Sequence, residues 1–230
     1  MRARDGPSDD DLYTVDRLED LPEPAPDADV VVVDVIISST SIVRLLEAGA
    51  AYVRPFGDVD EALAFRERTD GAMLVGEQGG EPIDGFDGSV LPSVFREYDL
   101  DGRPVGILTS NGTRAVDRLD RDRGVFAAST VNAAAVASTL RERDRDAWLV
   151  AAGRRGSVVP EDLAGVELVE RAYRDSLTDD VRTVLAEQIR QCDTAAWLAS
   201  IGYENELEAL LSFDSTDTVP RLRDGVFRKD

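Results

Sequence analysis

The 230-residue chain carries 46 acidic and 26 basic side chains, for a formal net charge of -20, with no His and one Cys, Cys192. Without an imidazole there is no Ser-His-Asp triad and no HExxH zinc site; Lys229, the only Lys, is no P-loop lysine, and one thiol forms no intrachain disulfide. Carboxylates, hydroxyls, Arg, backbone amides and oxygen-ligated metal remain as the available chemistry.

Residues 1–18 are expected to be a flexible N-terminal segment, and 19–230 a single α/β domain. Two closely packed α/β halves with a boundary near residue 100 are the alternative. A Pro-rich lead-in, LPEPAP at 21–26, reads as extended chain. The run VVVVDVII at 30–37 predicts a buried strand interrupted by one acid, Asp34. Ser39 or Thr40 would cap a helix over 41–48, which ends at Gly49. A second strand is predicted at 51–56. Asp58 with Glu61 opens a helix to about residue 68. A third strand at 72–75 runs into GEQGG at 76–80. Further strands are predicted at 104–110, 125–128 and 147–152, with an Ala-rich helix over 132–143. From 160 the pattern is helical, over 160–174, 178–200 and 204–212, closing on a short tail after Pro220. Strands alternating with helices define an α/β class, a three-layer α/β/α arrangement around a largely parallel, mixed sheet with a helical C-terminal part.

The charge excess is spread along the chain beside Arg residues and strong apolar periodicity, the pattern of a solvated, halophile-type surface. It argues against nucleic-acid partners and anionic membranes, since phosphate-rich partners need a basic footprint. No stretch approaches the ~20 apolar residues of a membrane span. The N-terminal residues lack the apolar core of a signal peptide, so a cytoplasmic protein is expected.

In open α/β sheets ligands bind beyond the carboxyl ends of strands. Those ends carry SSTS at 38–41, GEQGG at 76–80, TSNGTR at 109–114, STVN at 129–132 and GRRG at 153–156. Each is individually ordinary, as a helix cap, a turn or a solvated Arg pair. Together they describe an anion site of helix N-termini, exposed amides and Arg. Asp34 and Glu77 stand apart from the surface acids. Each is either a carboxylate held by loop amides or a metal ligand. With no His and one Cys, a metal here is a hard, oxygen-liking cation, Mg2+ first. Glu161 and Asp162 read as a helix first turn satisfying its dipole. Cys192 reads as a packed residue in mid-helix, and Trp148 and Trp197 as core.

The chain resembles the 2-phosphosulfolactate phosphatase family of coenzyme M biosynthesis, over about residues 21–225. The resemblance is carried by DVIISSTSI at 34–42, GEQGG at 76–80, GFD at 85–87 with Pro92, and TSNGTRA at 109–115. NAAAVA at 132–137, Ala152-Gly153 with Glu161-Asp162, Gly202, Asp214 and Val219-Pro220 complete it. It implies an α/β/α, Mg2+-dependent phosphatase that hydrolyses a phosphate monoester of a small sulfonated 2-hydroxy acid, and a homodimer. On this resemblance the catalytic residues are Asp34, Glu77 and Arg114, with Asp34 and Glu77 holding the metal, or Asp34 serving instead as the nucleophile. The anionic substrate would be bound by Ser39, Thr40, Gly79, Gly80, Asn111, Gly112, Thr113, Asn132, Arg154 and Arg155. Ile37 and Gln78 stand where the family usually carries Arg, and Val90 lies in a loop that departs from its pattern. These departures keep open a second reading, a non-catalytic anion-binding protein on the same fold.

Overall fold

Five consecutive buried residues, Asp29–Val33, form strand β2, and their alternation sorts the core into two faces. Val31 and Val33 belong to one hydrophobic cluster, Val30 and Val32 to another. In the computed structural model the described residues are 12–22, 27–79, 81–95, 97–109, 124–154 and 156–230. Strand β2 lies between β6 (Val125–Ala128) and β7 (Ala147–Ala151), parallel to both, and β1 (Leu12–Val15) pairs in parallel with the outer side of β7. A second parallel block joins β3 (Tyr52–Phe56) to β5 (Pro104–Leu108) and β5 to β4 (Met73–Gly76).

Between the blocks sits a hairpin, β8 (Pro220–Arg223) and β9 (Val226–Lys229), antiparallel to β6 on one side and to β3 on the other. The nine-stranded order is therefore β1-β7-β2-β6-β8-β9-β3-β5-β4. Three successive antiparallel pairings separate the blocks, so their strands run in opposite senses along the hydrogen-bond ladder. The expected short tail after Pro220 is thus the strand pair that joins the sheet. Its turn places Asp224 at φ 53° and Gly225 at φ 76°, the two positive values of a type I′ hairpin.

Helix α1 (Ser38–Glu47) covers one face with Ile42, Leu45 and Leu46. Helix α2 (Val59–Arg68) packs Ala62 and Phe65 against Phe56, Leu74 and Leu108, and the short α3 (Pro92–Phe95) follows the β4 loop. On the face opposite α1 lie α4 (Ala133–Arg143), α5 (Pro160–Tyr173), α6 (Asp179–Arg190), α7 (Asp193–Ser200) and α8 (Glu204–Leu210). The architecture is a three-layer α/β/α fold around a mixed sheet.

Other expectations change locally. Helix α1 starts at Ser38 with Ile37 as its N-cap and no side-chain cap, so neither Ser39 nor Thr40 caps it. Strand β2 ends at Val33, and Asp34 to Ile37 form a turn, because an apolar run does not separate a strand from a buried loop. The expected flexible segment contains β1, held by β7. The helix expected over 178–200 breaks before Asp193, where Cys192 is an N-cap whose Sγ accepts from the Ala195 amide at 3.3 Å, so this Cys does not lie in mid-helix.

Candidate active site

The turn from β2 into α1 is built around Asp34, the first residue beyond the strand and only 7 % exposed. Its amide donates to Ser39 Oγ at 3.2 Å, Ser39 Oγ donates to the Val32 carbonyl at 3.3 Å, and the Ser38 amide donates to Asp34 Oδ1 at 3.4 Å. Ile37 closes the turn at φ 101° and ψ −81°, the strained γ-turn region that a β-branched residue rarely enters. Such a conformation costs about 1–3 kcal/mol and persists only where its surroundings impose it. Here Ile37 is half-buried between the two main hydrophobic clusters, and the Ser41 amide donates to its carbonyl at 2.8 Å.

Acidic side chains surround Asp34. Burial pushes its carboxyl up to about 7; the Ser38 amide works against this, and the negative charges of Glu161 and Glu77 add to it. Glu77 follows β4 directly, its amide donating to the Leu108 carbonyl at 3.0 Å. The Gln78–Glu81 backbone pair then closes the loop that carries Gly79. Glu161 and Asp162 are 4 % and 3 % exposed in the first turn of α5. Thr194 Oγ1 donates to Glu161 Oε1 at 2.5 Å. Asp162 Oδ1 accepts from the Val35 amide at 2.9 Å, and Oδ2 from the Gly153 amide at 3.0 Å. Burial first, then the Asp34 charge, hold the Asp162 carboxyl well above the usual carboxylate range, with those two amides pulling the other way. Burial likewise pushes the nearby Cys192 thiol up to about 11, opposed by the Ala195 amide and reinforced by Glu161.

Of the two acids singled out in the sequence, Glu77 lies near enough for its charge to reach Asp34. Ser39, Thr40 and Asn132 are buried with side chains bonded inside the protein. Thr40 Oγ1 donates to the Val35 carbonyl at 2.7 Å and contacts Ser129 Oγ. Asn132 Oδ1 accepts from the Ser129 amide at 2.9 Å, and its Nδ2 donates to the Thr218 carbonyl at 2.9 Å. Arg154 is exposed, and its backbone pairs with Ser157 in a tight turn. Gly80, Asn111, Gly112, Thr113, Arg114 and Arg155 lie outside the described residues. Glu161 and Asp162, which read in the sequence as a helix first turn, are buried beside Asp34. Their position just after Pro160 is that of an ordinary helix start, and only the packing shows the burial.

A divalent cation fits the chemistry of this donor set. Asp34 is buried among like charges, and no Arg or Lys among the described residues pairs with it. No group of three acidic, His or Cys side chains among the described residues is arranged to hold a metal unaided. Two carboxylates lie within the number that Mg2+ takes from a protein, the rest of its shell being water and substrate oxygens.

The fold and site together define a three-layer α/β/α protein with a buried carboxylate centre at the β2–α1 turn. The 2-phosphosulpholactate phosphatase family model matches residues 15–225. A probable 2-phosphosulfolactate phosphatase of Thermotoga petrophila is 34% identical over 209 residues, covering 86% of this chain and 90% of the relative. Another of the same description, from Thermoplasma acidophilum, is 33% identical over 197 residues, covering 85% and 86%. The chain belongs to the 2-phosphosulpholactate phosphatase family. Among the described residues no helix is long and apolar enough to cross a membrane.

Proposed function

We propose that this protein is a Mg2+-dependent phosphatase acting on the phosphate monoester of a small, sulfonated 2-hydroxy acid of the 2-phosphosulfolactate type. The observation that carries this is Asp34, buried at a strand end, with Glu77 and Glu161 close enough to oppose its ionisation. Asp34 and Glu77 would hold the cation, which neutralises charge on the phosphoryl group and makes a nearby water more acidic. The chain's own contribution is to position the reacting groups. The β2–α1 turn fixes Asp34 through Ser38 and Ser39, and the amides of Gly79, Gly80 and Gly112 are assigned to the phosphoryl oxygens. Arg114, in the TSNGTR block, is assigned to the charge that develops on the equatorial oxygens. With no His, the proton of the attacking water passes to a carboxylate.

The second reading, a non-catalytic anion-binding protein, is favoured by Ile37, Gln78 and Val90. None of the three carries a charge, and Val90 is 1 % exposed with its carbonyl accepting from Ser41. A phosphate-release screen separates the two readings. Purified protein in molar KCl is given short phosphorylated hydroxy acids, sulfonated and carboxylated, with Mg2+ and with EDTA. Mg2+-dependent release from the sulfonated member supports the enzyme; substrate binding without release on any member supports the alternative.

A further inference from the structure

On the proposed function, we infer that Asp162 is a positioning residue for Asp34, a clamp that ties the β2–α1 turn to the end of β7 from the first turn of α5. Its two carboxylate oxygens are divided between two strand ends. Oδ1 takes the amide of Val35, the residue that follows Asp34, and Oδ2 takes that of Gly153, two residues beyond β7. Strands β2 and β7 are parallel neighbours, and the Ala152 amide reaches the Val33 carbonyl at 2.9 Å, so the clamp continues their ladder past the point where the chains diverge. A carboxylate suits this position because it offers an acceptor on both oxygens, whereas an amide side chain would set a donor against one of the two N–H groups.

A second, independent feature holds α5 at the required distance. Gly165 lies one turn beyond Asp162, and a Cβ there would meet Val35 Cγ2 at 2.5 Å and Val33 Cγ1 at 2.7 Å. The helix therefore lies closer to β2 than any residue with a side chain allows. The same close approach presses on both residues that flank Asp34. Asp162 is 3 % exposed and its known hydrogen bonds go to these amides, so it acts on the reaction through Asp34 rather than by touching substrate.

The test compares wild type with Asp162→Asn in molar KCl. Phosphate release gives kcat and KM, calorimetry with Mg2+ alone gives cation affinity, and amide hydrogen exchange reports on Val35 and Gly153. Loosening the Asp34 turn is expected to lower kcat roughly 10- to 100-fold with KM within about threefold. Mg2+ affinity is expected to weaken roughly tenfold, as on loss of a group that orients a ligand, and exchange at Val35 and Gly153 to accelerate. If Asp162→Asn does not fold, Gly165→Ala keeps the carboxylate and displaces the helix, and the same changes are expected. A folded variant with wild-type kcat and Mg2+ affinity overturns the positioning role alone. Wild-type protein that releases no phosphate overturns the proposed function; the clamp is then judged by exchange, and unchanged protection at both amides overturns it.

Discussion

Replacing Gly165 by Ala adds one methyl group where two valine side chains already stand. The new Cβ would sit 2.5 Å from Val35 Cγ2 and 2.7 Å from Val33 Cγ1, whereas carbon atoms settle at about 3.5–4.0 Å. Val33 is fully buried in β2 between β6 and β7, and Val35 is equally buried, so the strand cannot yield and α5 must withdraw by about 1 Å. Overpacking of this kind costs about 1–3 kcal/mol, and the better helix propensity of Ala returns up to about 1 kcal/mol. A net loss of about 1–2 kcal/mol corresponds to a Tm lowered by roughly 2–8 °C in a chain of this size. The same 1 Å shift stretches the 2.9 and 3.0 Å bonds of Asp162 beyond hydrogen-bonding range and releases the Asp34 turn. Calorimetric melting and phosphate release on one preparation measure both effects. A variant with the Tm and kcat of wild type would show that α5 has slack against β2, and the reasoning from this close approach would fail.

Two further outcomes are expected. With a net charge of -20, the fold should gain stability from screening, and Tm should rise by roughly 5–15 °C between dilute buffer and molar KCl; a flat profile refutes the halophile-type surface. Asp34 sets a pH dependence. Its folded value of about 7 exceeds the ordinary 3.8, so the stability it contributes is fully present below about pH 4 and is lost as pH rises through 7. In Mg2+-free buffer, Asp34→Asn should therefore gain on wild type in urea midpoint between pH 5 and 8; parallel curves would show that Asp34 is not held in this environment.

Much of the architecture is legible in the sequence because period-two apolar runs and capped helices are local signals. The alternation of strands and helices gives the α/β class, and Asp58, whose side chain accepts from the Glu61 amide, caps α2 as its spacing suggests. The apolar run continues past the end of β2 through Val35 to Ile37 because these residues are apolar for tertiary reasons: the turn is covered by α5 and the two core clusters. The C-terminal hairpin had a local signal in Asp224-Gly225, masked by charged residues that resemble a solvated tail. Its position between two parallel blocks is a long-range property that no local pattern carries. At the site, Asp34 stood out as an acid in an apolar run. Glu161 and Asp162 did not, since an acidic first turn is the commonest of helix starts and its burial depends on a glycine one turn later.

The proposed role of the β2–α1 carboxylate in phosphate-ester hydrolysis is tested most directly by phosphate release from 2-phosphosulfolactate in molar KCl with Mg2+, by wild type and by Asp34→Ala. Turnover by wild type with a loss of at least roughly 100-fold in kcat/KM for the folded variant is the expected result. Equal turnover by the two proteins, or none by wild type, would contradict it.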